Sequence, residues 1–309
     1  MEINLISDTV TKPSPEMLTT MFNAEVGDDV FKQDPTVNAL EAKVADLFGM
    51  EAALFFPSGT MANQAAIRLH TRPGDEVICD KWSHIFLYEG GGVAANSGVS
   101  CHLVNGDRGM ITPELVKSVI SDPNFYHAPL TRMVSIENTT NKGGGACYEM
   151  DEIIKIKKVC QEQNLGLHLD GARLMNAIVA NKEDPKHYGN VFDTISVCLS
   201  KGLGAPMGTV LMGNSSLMKN AIRVRKVLGG GMRQVGFMAA AGLYAMEHQV
   251  DRLEEDHKKA KQIAVHLESL SYIKKVEPTQ TNIVIFYMQE GLNQEDFINA
   301  LAAKNIRIS

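Results

Sequence analysis

The sequence predicts an α/β protein built on a mostly parallel sheet, and three observations carry that prediction. Short apolar runs of strand length alternate with segments of helical period. The junctions carry start and turn signals such as Asp34-Pro35 and Arg72-Pro73-Gly74-Asp75. Two of the apolar runs lead into an acid and an amine, Asp170 and Lys201. Strands separated by helices pair in parallel and leave helices on both faces of the sheet.

Each element follows from its residues. Asp34 is an N-cap with proline at the tolerated first position, and Val37, Leu40, Val44 and Leu47 keep helical spacing until Gly49. Ala52 to Phe56 reads as a strand, Pro57 to Thr60 as a turn and Met61 to His70 as a helix. Val77 to Cys79 is a buried strand. Ser100 to Val104 precedes a helix from Pro113 to Ile120, and Met133 to Ile136 precedes one from Asp151 to Gln163. Strands follow at 165–169, at 194–199 and from Thr209 to Met212. Past about residue 235 the alternation gives way to one long helical stretch, Phe237 to about Leu270. Its charged middle, Asp251 to Lys259, reads as a solvated face. A strand from Ile283 to Tyr287, a helix from Gln294 to Ala303 and a last strand from Ile306 to Ile308 complete the chain. Residues 1–240 therefore read as a large domain with an amino-terminal arm. Residues 241–309 read as a small α+β domain, cut short within its sheet.

Composition narrows the function. The 309 residues are 44% hydrophobic and 21% charged, as in soluble globular proteins. A net charge of −6 with no basic block argues against nucleic acid as a partner. No apolar run approaches the roughly 20 residues that span a bilayer, and Met1 to Leu5 lacks the regions of a signal peptide. No membrane partner and a cytoplasmic location are expected. Five cysteines without a C-x-x-C pair read as buried reduced thiols, and no metal site is expected.

The chemistry-bearing residues gather at strand ends. Asp170 closes the run Leu165 to Leu169, and Lys201 follows the run Thr194 to Leu199. Open α/β sheets bind ligands at the carboxyl ends of their strands. An acid and an amine held there suit pyridoxal 5′-phosphate: the lysine forms the Schiff base, and the acid keeps the pyridine nitrogen protonated. Ser58-Gly59-Thr60 opens a helix and alone reads as a plain turn. Beside that acid and lysine it reads as a phosphate cradle of free amides. His84 can stack on the pyridine face or exchange a proton, or be a structural histidine. Tyr88 and His127 are candidates for the substrate pocket and have structural readings too. Gly229-Gly230-Gly231-Met232-Arg233 is either a linker or a loop bringing a bidentate cation to the phosphate. Gly143-Gly144-Gly145 reads as a wide turn.

Together these segments resemble the threonine aldolases, among the enzymes that share the aspartate aminotransferase fold (fold type I, a seven-stranded sheet between helices plus a small carboxyl-terminal domain). The resemblance rests on Ser7 to Pro13, Gly27 to Phe31, Phe56 to Asn63, His84, Glu137 to Thr139, His168 to Arg173, Ser200 to Pro206 and Gly229 to Gln234. It implies that Lys201 carries the cofactor, Asp170 partners the pyridine nitrogen, and His84 stacks on the ring. It also implies that Gly59 and Thr60 hold the phosphate, assisted by Arg233 from a partner chain. Arg173 and Ser7 would bind the substrate carboxylate, Arg173 also the cofactor's phenolic oxygen, and His127 and Tyr88 would approach the substrate hydroxyl. The expected assembly is a homodimer or homotetramer with active sites at the interface. One departure stands out. The family's carboxylate-binding arginine lies in an Arg-Leu-Val-Thr-His-like strand, and Lys304 to Ser309 resembles the strand before it. Arg307 is therefore not expected to do that work: either the chain is truncated, or Arg173 and Ser7 hold the carboxylate alone. The expected reaction is retro-aldol cleavage of threonine or allo-threonine to glycine and an aldehyde. The alternatives are a β-eliminating lyase acting on aromatic amino acids and a catalytically weak cofactor-binding protein.

Overall fold

In the computed structural model, which describes residues 2–309, eleven strands occur among the described residues. They are β1 (Ile3–Asn4), β2 (Ala52–Phe56), β3 (Glu76–Asp80), β4 (Ser100–Val104), β5 (Thr131–Glu137), β6 (Gly166–Gly171), β7 (Thr194–Cys198), β8 (Thr209–Gly213), β9 (Ile273–Val276), β10 (Phe286–Met288) and β11 (Ile306–Arg307). Seven form one sheet in the order β2-β8-β7-β6-β5-β3-β4. Only β8 runs against its neighbours, β2 and β7; the remaining pairs are parallel. The expected mostly parallel seven-stranded sheet is present. Its register sets Glu137 beside Asp170 and Asp170 beside Ser196, so β5, β6 and β7 bring their carboxyl ends together.

Both sheet faces are covered, as continuous apolar strands require. On one face Val134, Leu167, Ile195 and Val210 share a core with Val37, Leu40 and Val44 of the helix Pro35–Phe48 and with Ala239, Ala241 and Ala245. On the other, Leu54, Phe56 and Leu211 pack on Ala62, Ala65 and Ala66 of the helix Gly59–His70 and on Met218 and Ala221. Local signals act as expected: Asp34 accepts from the Val37 amide at 3.0 Å, and Gly49 closes that helix in the left-handed conformation at φ 65°.

Two expectations past residue 235 are corrected. The single long helix is two helices, Gly236–His248 and Leu253–Glu268. No proline or glycine marks the break. Arg252 instead turns back to donate to the Gly202 carbonyl at 2.7 Å. The first helix is buried by small residues. A Cβ at Gly242 would come 2.8 Å from Leu199 Cδ1 and 3.0 Å from Leu40 Cδ2. The second has a charged outer face tied by pairs such as Glu254–Lys258. Two helices that face different layers cannot share one straight axis. The strand expected from Ile283 begins only at Phe286 and pairs antiparallel with β9, which the sequence reading missed. Residues before it are held by loops instead: Thr281 donates to the Gly145 carbonyl at 2.9 Å, and Arg108 to the Pro278 carbonyl at 2.8 Å. β11 pairs in parallel with β1, closing the amino-terminal arm against the carboxyl-terminal segment.

Candidate active site

Asp170 is the penultimate residue of β6, with its side chain buried. Its Oδ1 accepts from the Ala172 amide at 3.1 Å and its Oδ2 from Asn63 Nδ2 at 2.8 Å. Asn63 comes from the helix Gly59–His70, packed beneath the same strand ends. The other hydrogen of its Nδ2 goes to Glu89 Oε1 at 2.9 Å, and its Oδ1 accepts from Ser196 Oγ at 2.8 Å. His168 Nε2 lies 3.2 Å from that same Oδ1. An amide nitrogen facing two carboxylates fixes the Asn63 orientation, so its oxygen can only accept. His168 must then carry its proton on Nε2 and accept at Nδ1 from Thr194 Oγ1, 2.9 Å away. Burial pushes His168 down to about 4, consistent with that neutral ring. Every hydrogen-bonding position of the buried Asn63 is used.

Glu89 joins this cluster to His84. Its Oε1 also meets His84 Nδ1 at 3.0 Å, and its Oε2 accepts from Gln64 Nε2 at 2.6 Å. The hydrogen bond to Glu89 raises His84 above the usual histidine range, against the effect of burial. The His84 amide donates to Glu137 Oε2 at 3.0 Å. Glu137 is fully buried and pushed up to about 7, by burial first and by Asp170 second. His84, Glu89 and Asp170 bring a ring nitrogen and two carboxylate oxygens within 4.8 Å of one another, a spacing a cation could share. Their oxygens already accept from Asn63, Gln64 and Ala172.

Lys201 lies three residues beyond β7, half-buried. It shares a small cleft with Cys198 and Arg173. The Thr11 hydroxyl donates to its carbonyl at 2.8 Å. Burial raises the Cys198 thiol above its usual range. Arg173 is held by a residue that sequence reading did not single out. Its Nε and Nη2 donate to the two oxygens of Asp8 at 2.8 and 2.7 Å, both side chains being nearly inaccessible. Ser7 caps the short turn Asp8–Val10, accepting from the Thr9 amide at 3.2 Å.

Ser58 is the N-cap of the helix Gly59–His70 and accepts from the Met61 amide at 3.2 Å. Among the described residues the Gly59 and Thr60 amides have no partner, as expected at a helix start. A Cβ at Gly59 would stand 2.8 Å from Cys198 Sγ, so the helix start meets the strand end leading to Lys201. Arg233 pairs on the surface with Asp28 of the same chain at 2.7 Å. The loop before it does reach the helix start, because a Cβ on Gly230 would run into Met61 Sδ. Tyr88 is exposed, its ring 5.6 Å from that of His84. His127 stands apart in an exposed loop, where among the described residues its ring partners are Tyr126 and Phe125. Arg307 pairs with Glu2 at 2.7 Å. Asn63, Glu89, Glu137 and Asp8 were missed as site residues. Asn63, Asp8 and Glu137 lie inside the motifs already quoted, and Glu89 directly follows Tyr88, so an ionisable or amide residue within each motif was the available signal.

Comparison with known proteins gives the family. Residues 4–291 match the beta-eliminating lyase family. A low-specificity L-threonine aldolase of Arabidopsis thaliana is 41% identical over 295 residues, covering 94% of this chain and 82% of the relative. A low specificity L-threonine aldolase of Escherichia coli K12 is 43% identical over 265 residues, 86% of this chain and 79% of the relative. Among solved structures, a putative L-allo-threonine aldolase from Listeria monocytogenes superposes with a TM-score of 0.84 at 24% identity, covering 99% of this chain and 85% of its own. Threonine aldolase from Leishmania major gives 0.85 at 21% identity, covering 98% and 88%. These two likenesses bear on the fold.

Proposed function

Because the chain belongs to the beta-eliminating lyase family, in its threonine aldolase branch, we propose that it is a pyridoxal 5′-phosphate-dependent carbon–carbon lyase. Its reaction is the cleavage of L-threonine, L-allo-threonine and related β-hydroxy-α-amino acids to glycine and an aldehyde. The observation that supports this most is the placing of Asp170 and Lys201 at the carboxyl ends of the neighbouring parallel strands β6 and β7, with Arg173, Cys198 and Lys201 lining one cleft there.

The residues present fit the cofactor. Free amides at Gly59 and Thr60 offer a phosphate cradle at a helix start, and Asp170 is held as an acceptor by Asn63 and Ala172. When bound, pyridoxal 5′-phosphate supplies an electron-accepting ring for the pair left on Cα as the Cα–Cβ bond breaks. Lys201 Nζ would hold the cofactor, and the Asp170 carboxylate would keep a proton on the pyridine nitrogen. His84 would stack on the ring. With Nδ1 taken by Glu89, its Nε2 is the edge that can exchange a proton. Arg173 receives the α-carboxylate through Nη1, because Asp8 occupies its other side. Ser7, beside Asp8, and Tyr88, beside His84, would meet the rest of the substrate, whereas His127 in its exposed loop would have to be brought to it. The β-hydroxyl gives up its proton as the aldehyde forms, and Cα takes one to become glycine.

The test is product analysis with the purified protein and added cofactor. Glycine and an aldehyde in equal amounts from allo-threonine are expected. A 2-oxo acid and ammonia would instead identify a β-eliminating lyase, and a bound cofactor without turnover a binding protein. Lys201→Ala should remove both the cofactor's visible absorbance shift and turnover; full activity in that variant defeats the assignment. Assembly as a homodimer or homotetramer in the cytoplasm belongs to the same proposal. Exposed apolar side chains such as Phe22 and Phe31 support the assembly, and sedimentation tests it. Among the described residues no helix is long and apolar enough to cross a membrane.

A further inference from the structure

Arg173 has a built-in orientation. Asp8 takes its Nε and Nη2 in a two-point contact. Among the described residues Nη1 has no acceptor, so one edge of the guanidinium stays open. Asp8 is fixed in turn. The Ser7 cap holds its turn from one side, and Asn282 Nδ2 donates to its Oδ2 at 3.1 Å from the other. Asn282 is itself anchored, since Thr281 is tied to Gly145 and Arg108 to Pro278. Its Oδ1 is buried without a partner in the described structure. A buried acceptor with no donor is costly unless a ligand supplies one.

We propose that Asp8 and Asn282 are positioning residues that turn Arg173 into a receptor for the α-carboxylate of an amino acid, and that Asn282 Oδ1 accepts a hydrogen from the same ligand. The inference rests on the proposed reaction and deepens it. A planar guanidinium offers two bidentate edges, and a carboxylate on one leaves the other preset for a second. Burying the cation without Asp8 would leave it unpaired and free to rotate away. The two positioning side chains come from opposite ends of the chain, residues 8 and 282, so carboxylate recognition depends on both ends closing over the sheet. The arrangement reads a carboxylate rather than an amine, because the open atom is a charged donor.

The experiment uses cofactor-loaded protein and follows the cofactor's visible absorbance on adding glycine, or ethanolamine, which has the amine and no carboxylate. Asp8→Asn and Asp8→Ala should raise the glycine Kd by about tenfold or more and leave that of ethanolamine within about twofold. Asn282→Ala, which keeps the ion pair whole, should raise the glycine Kd several-fold. In turnover the KM for allo-threonine should rise far more than kcat falls, the pattern of lost ligand binding. An unchanged glycine Kd in both Asp8→Asn and Asn282→Ala overturns the proposal. A tighter glycine Kd in Asp8→Ala also overturns it, by making Asp8 a competitor for the guanidinium. Equal losses for glycine and ethanolamine would reduce both residues to structural ties, a third defeat. Wild-type protein that binds cofactor but responds to neither glycine nor allo-threonine defeats the proposed reaction itself, and this inference with it.

Discussion

The two ends of the site are built on opposite plans. At the Asp170 end Asn63 spends all four of its hydrogen-bonding positions on Asp170, Glu89, Ser196 and His168. All these partners except Glu89 lie on the strands β6 and β7, and each position is used once. At the Arg173 end the partners are Asp8 and Asn282, brought in by an arm and a loop, and Nη1 of Arg173 and Oδ1 of Asn282 stay open. A saturated buried network admits one arrangement and is costly to disturb. An end with open donors and acceptors can take a second partner at little cost. The first plan suits a group that stays bound through many turnovers, and the second suits a ligand that comes and goes.

Removing Asn63 should break the contrast most severely. Asn63→Ala strands two buried carboxylates, a serine and a histidine, at about 1–3 kcal/mol for each group left without a partner. A stability loss above about 3 kcal/mol is expected in denaturant unfolding, with weaker cofactor retention. Asn282→Ala should cost less than about 1 kcal/mol in the same assay, because it removes a partly exposed amide and one hydrogen bond. Similar losses in the two variants would mean that the ends do not differ as described.

Protonation sharpens the comparison at the next level. Glu137 stands at about 7 in the fold against about 4.5 unfolded, so its contribution is present below pH 4.5 and lost as pH rises through 7. His168 stands at about 4 against 6.5, so its contribution is present above pH 6.5 and lost as pH falls toward 4. Each is worth on the order of 3 kcal/mol, and their slopes oppose one another across the overlapping window. The parent protein should therefore show a shallow stability profile between about pH 4.5 and 6.5. Glu137→Gln should leave a profile that climbs with pH, and His168→Gln one that declines with it. Thermal unfolding at several pH values checks this; parallel profiles in the two variants would reject the assignment of either group.

The legibility of the sequence follows the same divide. β7 and β8 were readable because a strand buried on both faces has to be continuously apolar, and Asp170 and Lys201 because a charge at the end of such a run has few structural uses. Asn63 was not, since an asparagine on a helix carries no pattern. Its role exists only once helix and strands are packed. The break between His248 and Leu253 was hidden for a similar reason: Arg252 bonds to Gly202, fifty residues away in sequence, and local spacing holds no trace of that. Asp8 and Asn282 meet across 274 positions. Pairing of that range is a property of the fold, while capping at Asp34 or Ser58 is decided within one turn.

Arg233 offers the smallest effect and the finest discrimination. Its guanidinium is largely exposed on Asp28, and exposed ion pairs contribute about 0–1 kcal/mol. Arg233→Ala should leave the unfolding midpoint almost unmoved. The neighbouring glycine loop nevertheless touches Met61 at the helix that begins with Gly59, and in the proposed assembly Arg233 would reach the phosphate cradle of a partner chain. If Arg233 serves that cradle, the cofactor Kd should rise several-fold in Arg233→Ala, and the difference should shrink in high salt as screening removes the charge. Asp28→Ala, which releases the guanidinium, should tighten cofactor binding. A lowered midpoint with unchanged cofactor binding would make Arg233 a surface tie, and the phosphate would then be held by the Gly59 and Thr60 amides without a cation.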